Sequence, residues 1–271
     1  MPSHRPPPPR TSIHWPRYLW QSFAFWAVIV HYVPFMVVLL LVARIPLSTS
    51  WRLASRRIVT WMVRWWGRAM LRMVGVRLVV EPAAAAELAQ KRRRVVTFNH
   101  ASTMDMMLMS ALWPEGAVAV VKREMLWVPL IGQIIYFLDF LPIDRGNRQR
   151  ATASLRAAAD KMRRGDLTVM IAPEGTRSET GGVQAFKLGA FHLAVEAGAP
   201  IVPLVLHGTR QLWPRWQKQC NAGVVTVRML PEQPSGHGGM AEGPAVHASA
   251  DRLRAMYVAA LEQMDGERAA A

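Results

Sequence analysis

From Val95 onward, short apolar runs rich in β-branched residues alternate with segments of helical periodicity. Parallel strands need a long crossover between them, and this crossover is usually a helix. The alternation therefore predicts an α/β domain with a mostly parallel or mixed sheet that is flanked by helices. We predict strands at residues 95–98, 117–121, 140–143, 167–171 and 201–206, and helices at 103–112, 147–164 and 185–197.

The segments on either side of this region extend the same domain. We predict a strand at 77–81, a connecting helix at 83–94 and a further strand at 223–230, followed by a loop rich in glycine and proline at 231–244. The basic run at 91–94 is most simply a patch that faces solvent or lipid headgroups. A last helix should pack on the domain through the apolar face that carries Leu253, Met256, Tyr257, Ala260, Leu261 and Met264.

Polar residues with acid–base chemistry follow the predicted strand at 95–98. Asn99 and His100 come directly after it, and Ser102 or Thr103 then opens a helix that carries Asp105. A carboxylate on one imidazole nitrogen fixes the tautomer, so that the other nitrogen can take a proton from a substrate hydroxyl. The alternative is structural: Ser102 and Asp105 have the spacing of a capping box, and His100 could simply end the strand.

Two other candidate residues also follow predicted strands. Arg145 comes after the strand at 140–143, and Glu174 comes after the strand at 167–171. Parallel strands end at the same edge of a sheet, which is where open α/β sheets bind their ligands. We therefore expect His100, Arg145 and Glu174 to converge on one crevice.

The motifs occur in a fixed order along the chain. After His100 and Asp105 come a stretch at 122–132 that begins with Lys122, a stretch at 140–145, the sequence Pro-Glu-Gly-Thr-Arg-Ser at 173–178, and a stretch at 198–204. This ordered set resembles the blocks of the glycerolipid acyltransferases, specifically the 1-acylglycerol-3-phosphate O-acyltransferases. The likeness runs from about residue 95 to residue 209. Asp139 departs from it, because the family often has glycine there, and so does Ala172, where an aromatic residue is common.

The resemblance implies a reaction and roles for two residues. His100 would deprotonate the free 2-hydroxyl of a lysophospholipid, and the oxygen would attack the thioester of acyl-CoA or acyl carrier protein. Asp105 would orient the imidazole of His100. The departing thiolate needs little help, and no cofactor beyond the acyl co-substrate is expected.

The resemblance also implies an acceptor-binding set. Arginine suits a phosphate because its guanidinium donates two parallel charge-assisted hydrogen bonds. Glu174 would hold an arginine or a glycerol hydroxyl, and backbone amides after it could stabilise the oxyanion. The matching residues are Arg145, Glu174, Gly175, Thr176 and Arg177, with Lys122 as a further candidate for phosphate or oxyanion contact.

The N-terminal part of the chain predicts attachment to a membrane. Residues 1–17 form a basic, proline-rich arm, and no charged residue occurs between Arg17 and Arg44. This window could cross a hydrocarbon core of about 30 Å, but Pro34 and the basic flanks leave a re-entrant or in-plane hairpin equally open. We therefore divide the chain into an arm at 1–17, membrane-associated helices at 18–76 and an acyltransferase domain at 77–271.

A basic amphipathic pattern follows the uncharged window, at residues 51–76. Such a helix is typical of an anionic interface, although the same stripe also occurs in helices that pack on a core. The apolar face carries Ile58, Val59, Met62, Trp65, Trp66, Ala69, Met70 and Met73, opposite Arg57, Arg64, Arg68 and Arg72.

Composition supports an anionic partner. The chain has 33 Lys and Arg against 18 Asp and Glu, giving a formal net charge of +15, and its eleven tryptophans favour a bilayer interface over nucleic acid. Cys220 is the single cysteine, so an intrachain disulfide is excluded. The histidines and Cys220 lack zinc-ligand spacing, and we expect no metal site.

The leading interpretation is an enzyme of the inner, cytoplasmic membrane, with its catalytic domain on the cytoplasmic side, that makes phosphatidic acid. Its partners would be membrane lipids, a lysophospholipid acceptor and acyl-CoA or acyl carrier protein. One alternative changes only the acceptor, for example to a lyso-ornithine lipid. Another is a non-catalytic basic adaptor for membranes or nucleic acid, which leaves the ordered motifs unexplained. A soluble hydrolase ranks last because the chain has no Gly-x-Ser-x-Gly motif.

Overall fold

A computed structural model describes residues 14–43, 49–128, 131–144, 146, 148–178, 182–214, 217–234 and 244–270. Arg145, most of the predicted arm and much of the predicted loop at 231–244 lie outside these residues. Residues 15–17, which had been predicted as the end of the arm, form the beginning of the first helix.

A mixed seven-stranded sheet forms the centre of the fold, which confirms the predicted α/β class. Five strands, β2 to β6, run parallel to one another, whereas β7 is antiparallel to β6 and β1 is parallel to β7. The order across the sheet is β1-β7-β6-β2-β5-β3-β4. The strands are β1 Val76–Val80, β2 Arg94–Phe98, β3 Ala117–Lys122, β4 Leu141–Ile143, β5 Thr168–Ile171, β6 Ile201–His207 and β7 Gly223–Met229.

Helices cover both faces of this sheet. One hydrophobic cluster joins α2 and α4 to the sheet, and a second joins α6, α7 and α9 to it. The α-helices are α1 Trp15–Ala43, α2 Thr49–Met73, α3 Pro82–Ala89, α4 Asp105–Ala111, α5 Ile131–Phe137, α6 Arg148–Arg163, α7 Gly189–Ala197, α8 Thr209–Leu212 and α9 Pro244–Ala270, and a 3-10 helix spans Arg123–Trp127. The sequence pattern had not predicted α5, α8 or the 3-10 helix, which are short.

The predicted packing of the last helix is confirmed. Leu253 and Tyr257 on α9 are fully buried, and Ala260 and Met264 are nearly so. The Tyr257 hydroxyl lies 3.0 Å from the Thr97 hydroxyl of β2. Helix α9 therefore completes the core on one face of the sheet, directly behind the central strand.

The prediction of a helix at 83–94 was wrong in its second half. Helix α3 ends at Ala89, and Gln90 has an extended backbone. Arg94 is the first residue of β2, and its side chain is fully buried, where it donates 2.6 Å and 2.8 Å hydrogen bonds to the carbonyls of Glu87 and Gln90 and pairs with the Glu87 carboxylate. The patch predicted at 91–94 therefore does not include Arg94, because its guanidinium is buried and paired with the Glu87 carboxylate.

Helix α1 is a single helix that continues through Pro34, so of the two arrangements left open by the sequence, a hairpin that turns at Pro34 is not present. A proline removes one backbone hydrogen bond but does not by itself reverse the chain. Within the described ranges, no helix combines the length and the apolar character that crossing a membrane requires.

Helix α2 packs on α4, with Met62 and Met70 buried in the core. This part of the stripe follows the alternative of a helix that packs on a core, and does not face a membrane surface. The predicted division into an apolar and a basic face was wrong in part, because Ile58 and Trp65 are exposed on the same side as Arg68. Val63 and Leu71 are buried instead, since the packed surface of α2 is centred nearer to them. The exposed face of α2 therefore interleaves aromatic and basic side chains.

Gly67 allows α2 to cross α4 at close range. A Cβ built on Gly67 would lie 2.6 Å from the Met107 carbonyl oxygen and closer still to the Ala111 amide nitrogen. Both obstacles are backbone atoms of α4, which cannot rotate away. The crossing therefore requires a residue without a side chain.

We predict that Gly67→Ala lowers the free energy of unfolding by about 1–3 kcal/mol, because the overpacked crossing outweighs the gain in helix propensity of about 1 kcal/mol. Chemical denaturation measures the change. Gly266→Ala is the matched control, since Gly266 is also helical but a Cβ there meets nothing within 4 Å. It should raise stability by about 0.5–1 kcal/mol. Equal changes in the free energy of unfolding for the two variants would show that the close contact between Gly67 and α4 does not require glycine.

Candidate active site

The central strand β2 delivers the first motif to the middle of the sheet edge. Strand β2 pairs in parallel with β5 on one side and with β6 on the other. Asn99, which follows it, is buried and exchanges two hydrogen bonds with the backbone of Leu206 on β6, at 3.1 Å to the carbonyl and 2.7 Å from the amide. This exchange fixes the direction in which the chain leaves the strand, and hence the position of His100.

The structure brings His100 and Asp105 together. Nδ1 of His100 lies 2.7 Å from Oδ2 of Asp105. Asp105 is fully buried, whereas 27% of the His100 side chain remains exposed. A carboxylate accepts hydrogen bonds only, so the neutral imidazole carries its proton on Nδ1 and keeps a lone pair on Nε2. This is the arrangement of a general base in an accessible position.

The same carboxylate oxygen also organises the turn. Oδ2 of Asp105 accepts hydrogen bonds of 2.9 Å from the amides of both Ala101 and Ser102, and the Met104 amide donates to the Ser102 hydroxyl at 3.0 Å. Helix α4 begins at Asp105, later than the predicted start at residue 103. The structural and the catalytic interpretations of this spacing are therefore compatible, because one carboxylate caps the turn and holds the imidazole.

The loop after β5 holds the backbone of His100 at both of its polar atoms. The His100 amide donates to Oε1 of Glu174 at 2.7 Å, and the His100 carbonyl accepts from the Ser178 amide at 2.8 Å. The second oxygen of Glu174 accepts from the Gln184 amide at 3.0 Å. Glu174 was expected to hold an arginine or a glycerol hydroxyl. Instead, both of its oxygens bind backbone amides, and the residue is buried.

Burial governs the ionisation of Glu174. Loss of solvation raises the pKa of its carboxyl above the ordinary value, while the hydrogen bonds from the His100 and Gln184 amides act in the opposite direction. The two donated hydrogen bonds thus support a charge that burial disfavours.

The turn at Gly175 has a backbone that suits glycine, with a φ of +72°. Its amide donates to the Ala172 carbonyl at 3.0 Å, and the Ser178 amide is bound to His100. The amides of Gly175 and Ser178 therefore already have acceptors within the protein. They are weaker candidates for stabilising an oxyanion than the hypothesis about amides after Glu174 had assumed.

Cationic side chains lie beside this turn. Arg177 donates through Nη1 to the hydroxyl of Thr103 at 2.6 Å, which joins the loop after β5 to the turn after His100. The exposed side chain of Lys187 passes over Gly175, because a Cβ built there would lie 3.0 Å from its Cδ and 3.1 Å from its Nζ. Thr176 is exposed on the same turn.

Sequence reasoning missed Lys187 and Gln184. Lys187 precedes α7 in a non-helical segment that had been predicted as helix from residue 185, and Gln184 closes the loop by donating through its side chain to the Thr176 carbonyl at 3.1 Å. Neither residue carries a recognisable local pattern. The available signal was weak: both follow Pro-Glu-Gly-Thr-Arg-Ser within ten residues.

The two basic residues predicted from the middle motifs have different outcomes. Lys122 lies at the carboxyl end of β3, is exposed, and pairs with Glu124 at 3.4 Å. It thus shares the sheet edge with His100, two strands away. Arg145 lies outside the described residues.

Asp139, which replaces a common glycine of the family, has a φ of +56°, a conformation that aspartate tolerates better than most residues.

The surroundings of the site are partly apolar. Met106 follows Asp105 directly and is exposed, although the neighbouring residues of α4 are buried. An exposed apolar side chain one residue from a candidate catalytic carboxylate suits a substrate with a hydrocarbon part. Among the described residues, no group of three or more His, Cys, Asp or Glu side chains is placed to hold a metal ion.

Comparison with known proteins shows what the part of the chain around this site is similar to. A family model described as acyltransferase matches residues 80–207, which include His100, Asp105 and Glu174. The chain is also similar to proteins named 1-acyl-sn-glycerol-3-phosphate acyltransferase. That of Cocos nucifera is 34% identical over 162 residues, covering 60% of this chain and 51% of the relative. The beta form of Homo sapiens is 35% identical over 188 residues, covering 68% and 66%.

The matched part of this chain spans about half the length of the plant relatives, as the protein of Limnanthes douglasii also illustrates, with 37% identity over 50% of its length. The fold has a solved counterpart in the crystal structure of the 1-acyl-sn-glycerophosphate (LPA) acyltransferase, PlsC, from Thermotoga maritima. The two chains superpose with a TM-score of 0.73 at 23% sequence identity, over 92% of this chain and 99% of that one.

We predict that Glu174→Gln lowers the free energy of unfolding by about 1–3 kcal/mol, because the amide offers one acceptor oxygen where two amides donate. It should also remove a pH dependence. Since the pKa of Glu174 is raised, the folded chain binds a proton more tightly than the unfolded chain, and wild-type stability falls as pH rises from the ordinary glutamate pKa through the raised one.

Chemical denaturation as a function of pH measures both effects. Glu196→Gln is the matched control, because Glu196 lies on α7 and pairs with Arg156 at the surface. An unchanged pH slope in Glu174→Gln would show that this carboxyl is not the group responsible.

Proposed function

Because this chain belongs to the acyltransferase family through its residues 80–207, we propose that it acylates a lysophospholipid at a membrane surface. The acceptor would be 1-acylglycerol-3-phosphate, its 2-hydroxyl would receive the acyl group, and the product would be phosphatidic acid. One observation carries this proposal: the partly exposed imidazole of His100 is bound to buried Asp105 and adjoins a turn that carries Arg177 and is overlaid by the side chain of Lys187. A base and a cationic headgroup site thus occupy one sheet edge.

His100 would act as the general base. With Nδ1–H donated to Asp105, Nε2 takes the proton of the acceptor's 2-hydroxyl as that oxygen attacks the thioester carbonyl. The tetrahedral intermediate then collapses, the carbon–sulfur bond breaks, and the imidazolium returns its proton to the departing thiolate. Asp105 stabilises the transient imidazolium and keeps its own charge throughout. The protein itself needs no covalent intermediate, because the substrate brings the nucleophile.

The headgroup phosphate would bind at the turn after β5. Lys187 places an ammonium beside Gly175, and Arg177 places a guanidinium against Thr103 in the turn that follows His100. Charge-assisted hydrogen bonds of this kind are stronger than neutral ones. Arg145 stays a proposed third contact of the phosphate, on the basis of its motif. Lys122 stays a proposed contact at the same edge of the sheet.

Glu174 would act as a positioning residue. Its carboxylate is buried and binds the amides of His100 and Gln184, so it has little surface for a substrate. It holds the backbone of the base against the phosphate-binding turn. The distance between the reacting oxygen and the bound headgroup would then be set by this one side chain.

The acyl donor would be acyl-CoA or acyl carrier protein, with no further cofactor. Both donors are anionic, and the chain has a formal net charge of +15 that would attract either of them.

Membrane attachment would be made by α1 and α2, with the catalytic domain on the cytoplasmic side. Helix α1 exposes an apolar stripe at helical spacing that comprises Trp15, Leu19, Phe23, Trp26 and Val30. Helix α2 exposes Trp61 and Trp65 beside Arg68 and Arg72. Tryptophan favours the bilayer interface, and an exposed apolar surface of this extent is typical of interaction sites.

The acceptor decides between this function and its nearest alternative. Purified protein would be given an acyl thioester together with lysophosphatidate, lysophosphatidylcholine or a lyso-ornithine lipid, and the acylated products would be identified. We expect the highest kcat/KM with lysophosphatidate. Turnover confined to another acceptor would replace the proposed substrate, and a lack of turnover with every acceptor and both donors would favour the non-catalytic adaptor.

We predict that His100→Ala lowers kcat by about 10²–10⁴-fold, because the general base is lost. Asp105→Asn should lower it by up to about 10⁴-fold, because the imidazole loses its orienting anion. Turnover and circular dichroism measured together separate catalysis from folding. His192→Ala is the control, an exposed histidine on α7 that should keep full activity. An active, folded His100→Ala protein would rule out the mechanism.

We predict that Lys187→Gln raises the KM for lysophosphatidate about tenfold or more with a much smaller change in kcat, since a hydrogen bond to a charged group contributes about 1.5–3 kcal/mol. Lys187→Arg should keep most of the affinity. Lys91→Gln is the matched control, because Lys91 is exposed at the opposite edge of the sheet, before β2. An equal loss with an uncharged acceptor would show that Lys187 does not contact the phosphate.

A further inference from the structure

A second cavity, of about 590 Å³, lies away from the candidate active site, between α2, β1 and the end of α4. Its lining includes Ala111, which follows Asp105 by six residues and therefore lies about 9 Å further along the helix. It shares no residue with the acyl-transfer site. The lining combines three arginines, Arg68, Arg72 and Arg77, with three leucines, Leu71, Leu78 and Leu112.

The three arginines give this cavity a positive charge. All three are exposed, and within the described ranges no carboxylate lies within 4.0 Å of their guanidinium nitrogens, whereas many other arginines of the chain form such pairs. Arg68 also lowers the pKa of its neighbour Arg64, in addition to the larger effect of burial. The like charges here repel one another, so an anion would stabilise them.

The rest of the lining is apolar. Leu71, Val76 and Leu112 are buried residues of the lining, and Leu78 and Val80 are half-buried on β1. A free phosphate would bind the arginines but would make no contact with the apolar part of the lining. Cations above an apolar wall match an amphiphile whose anionic group adjoins a hydrocarbon part.

The position of the cavity indicates where such an amphiphile would come from. Trp61, Trp65, Arg68 and Arg72 follow one another at helical spacing along the exposed face of α2. The tryptophans suit the headgroup region of a bilayer, and arginines near that surface attract anionic lipids. Arg68 and Arg72, the last two residues of this stripe, also line the cavity.

We propose that this cavity binds the headgroup phosphate of an anionic membrane phospholipid that is not the substrate. The phosphate contacts Arg68, Arg72 and Arg77, and the first methylenes of the acyl chains lie on Leu71, Leu78 and Leu112. The inference rests on the membrane association proposed above. Its consequence is that the enzyme prefers anionic bilayers through a defined site as well as through its overall charge.

Monomeric short-chain lipids test the site without a bilayer. The full chain in neutral detergent would be titrated with dihexanoyl-phosphatidylglycerol or dihexanoyl-phosphatidylcholine, followed by phosphorus NMR. We expect saturable binding of phosphatidylglycerol only, weakened about tenfold or more in Arg72→Gln, because a charge-assisted hydrogen bond is lost. Arg57→Gln removes the same charge from the same helix face, outside the cavity, where Arg57 pairs with Glu115. It should leave the affinity unchanged.

A variant of the acyl-transfer site tests whether the lipid binds in that site or in the cavity. Arg177→Gln should bind phosphatidylglycerol as the wild type does, because Arg177 lies on the turn after β5. Three outcomes would overturn the proposal: equal affinity for the two lipids, equal loss in Arg57→Gln and Arg72→Gln, or loss in Arg177→Gln.

Flotation with vesicles of phosphatidylcholine, alone or mixed with phosphatidylglycerol, tests the premise separately. A wild-type chain that floats with neither vesicle would reject the proposed membrane association, while the NMR titration would still decide on the cavity. A chain that floats with mixed vesicles, and whose Arg72→Gln variant loses more binding than Arg57→Gln, supports both.

Discussion

One carboxylate oxygen controls the geometry on which the proposed chemistry depends. Oδ2 of Asp105 accepts from the His100 imidazole and from two backbone amides of the preceding turn, so the ring and its own loop share an anchor. A second carboxylate, from Glu174, holds the backbone of His100 from the neighbouring loop. Because β2 and β5 are adjacent parallel strands, both anchors act at the same sheet edge.

The charges of the site are divided by depth. The two acids, Asp105 and Glu174, are buried and have backbone amides as donors, which is how a protein keeps a buried carboxylate without a paired cation. The bases Arg177 and Lys187 lie nearer the surface, where an incoming anion can reach them. In the proposed mechanism, the two buried carboxylates therefore position His100, and the two cationic side chains bind the substrate phosphate. An exposed carboxylate in place of Glu174 would repel the phosphate that the proposed reaction requires.

Helix α2 belongs to the core and to the surface at once. Its buried side crosses α4 at Gly67, and α4 begins with Asp105. Its exposed side carries Trp61 and Trp65 with the arginines that border the second cavity. A helix that contacts lipid on one side would therefore be packed rigidly against the catalytic helix on the other, since interiors transmit displacement with little compression.

Features that arise from local geometry were predictable from the order of the residues. The alternation of apolar runs and helical periods gave the strands and the larger helices, and the five-residue spacing of His100 and Asp105 gave their pairing, because a turn places such residues within hydrogen-bond reach. Short elements such as α5 were not predictable, because they contain too few residues to show a period.

Contacts between distant segments became visible only in the folded chain. The hydrogen bond from the His100 amide to the Glu174 carboxylate joins residues 74 positions apart. The burial of Arg94 and the exposure of Trp65 likewise depend on which element packs against each residue. The physical reason is that the period of a segment fixes which residues share a face, whereas the neighbour that covers this face is chosen by the packing of the whole sheet.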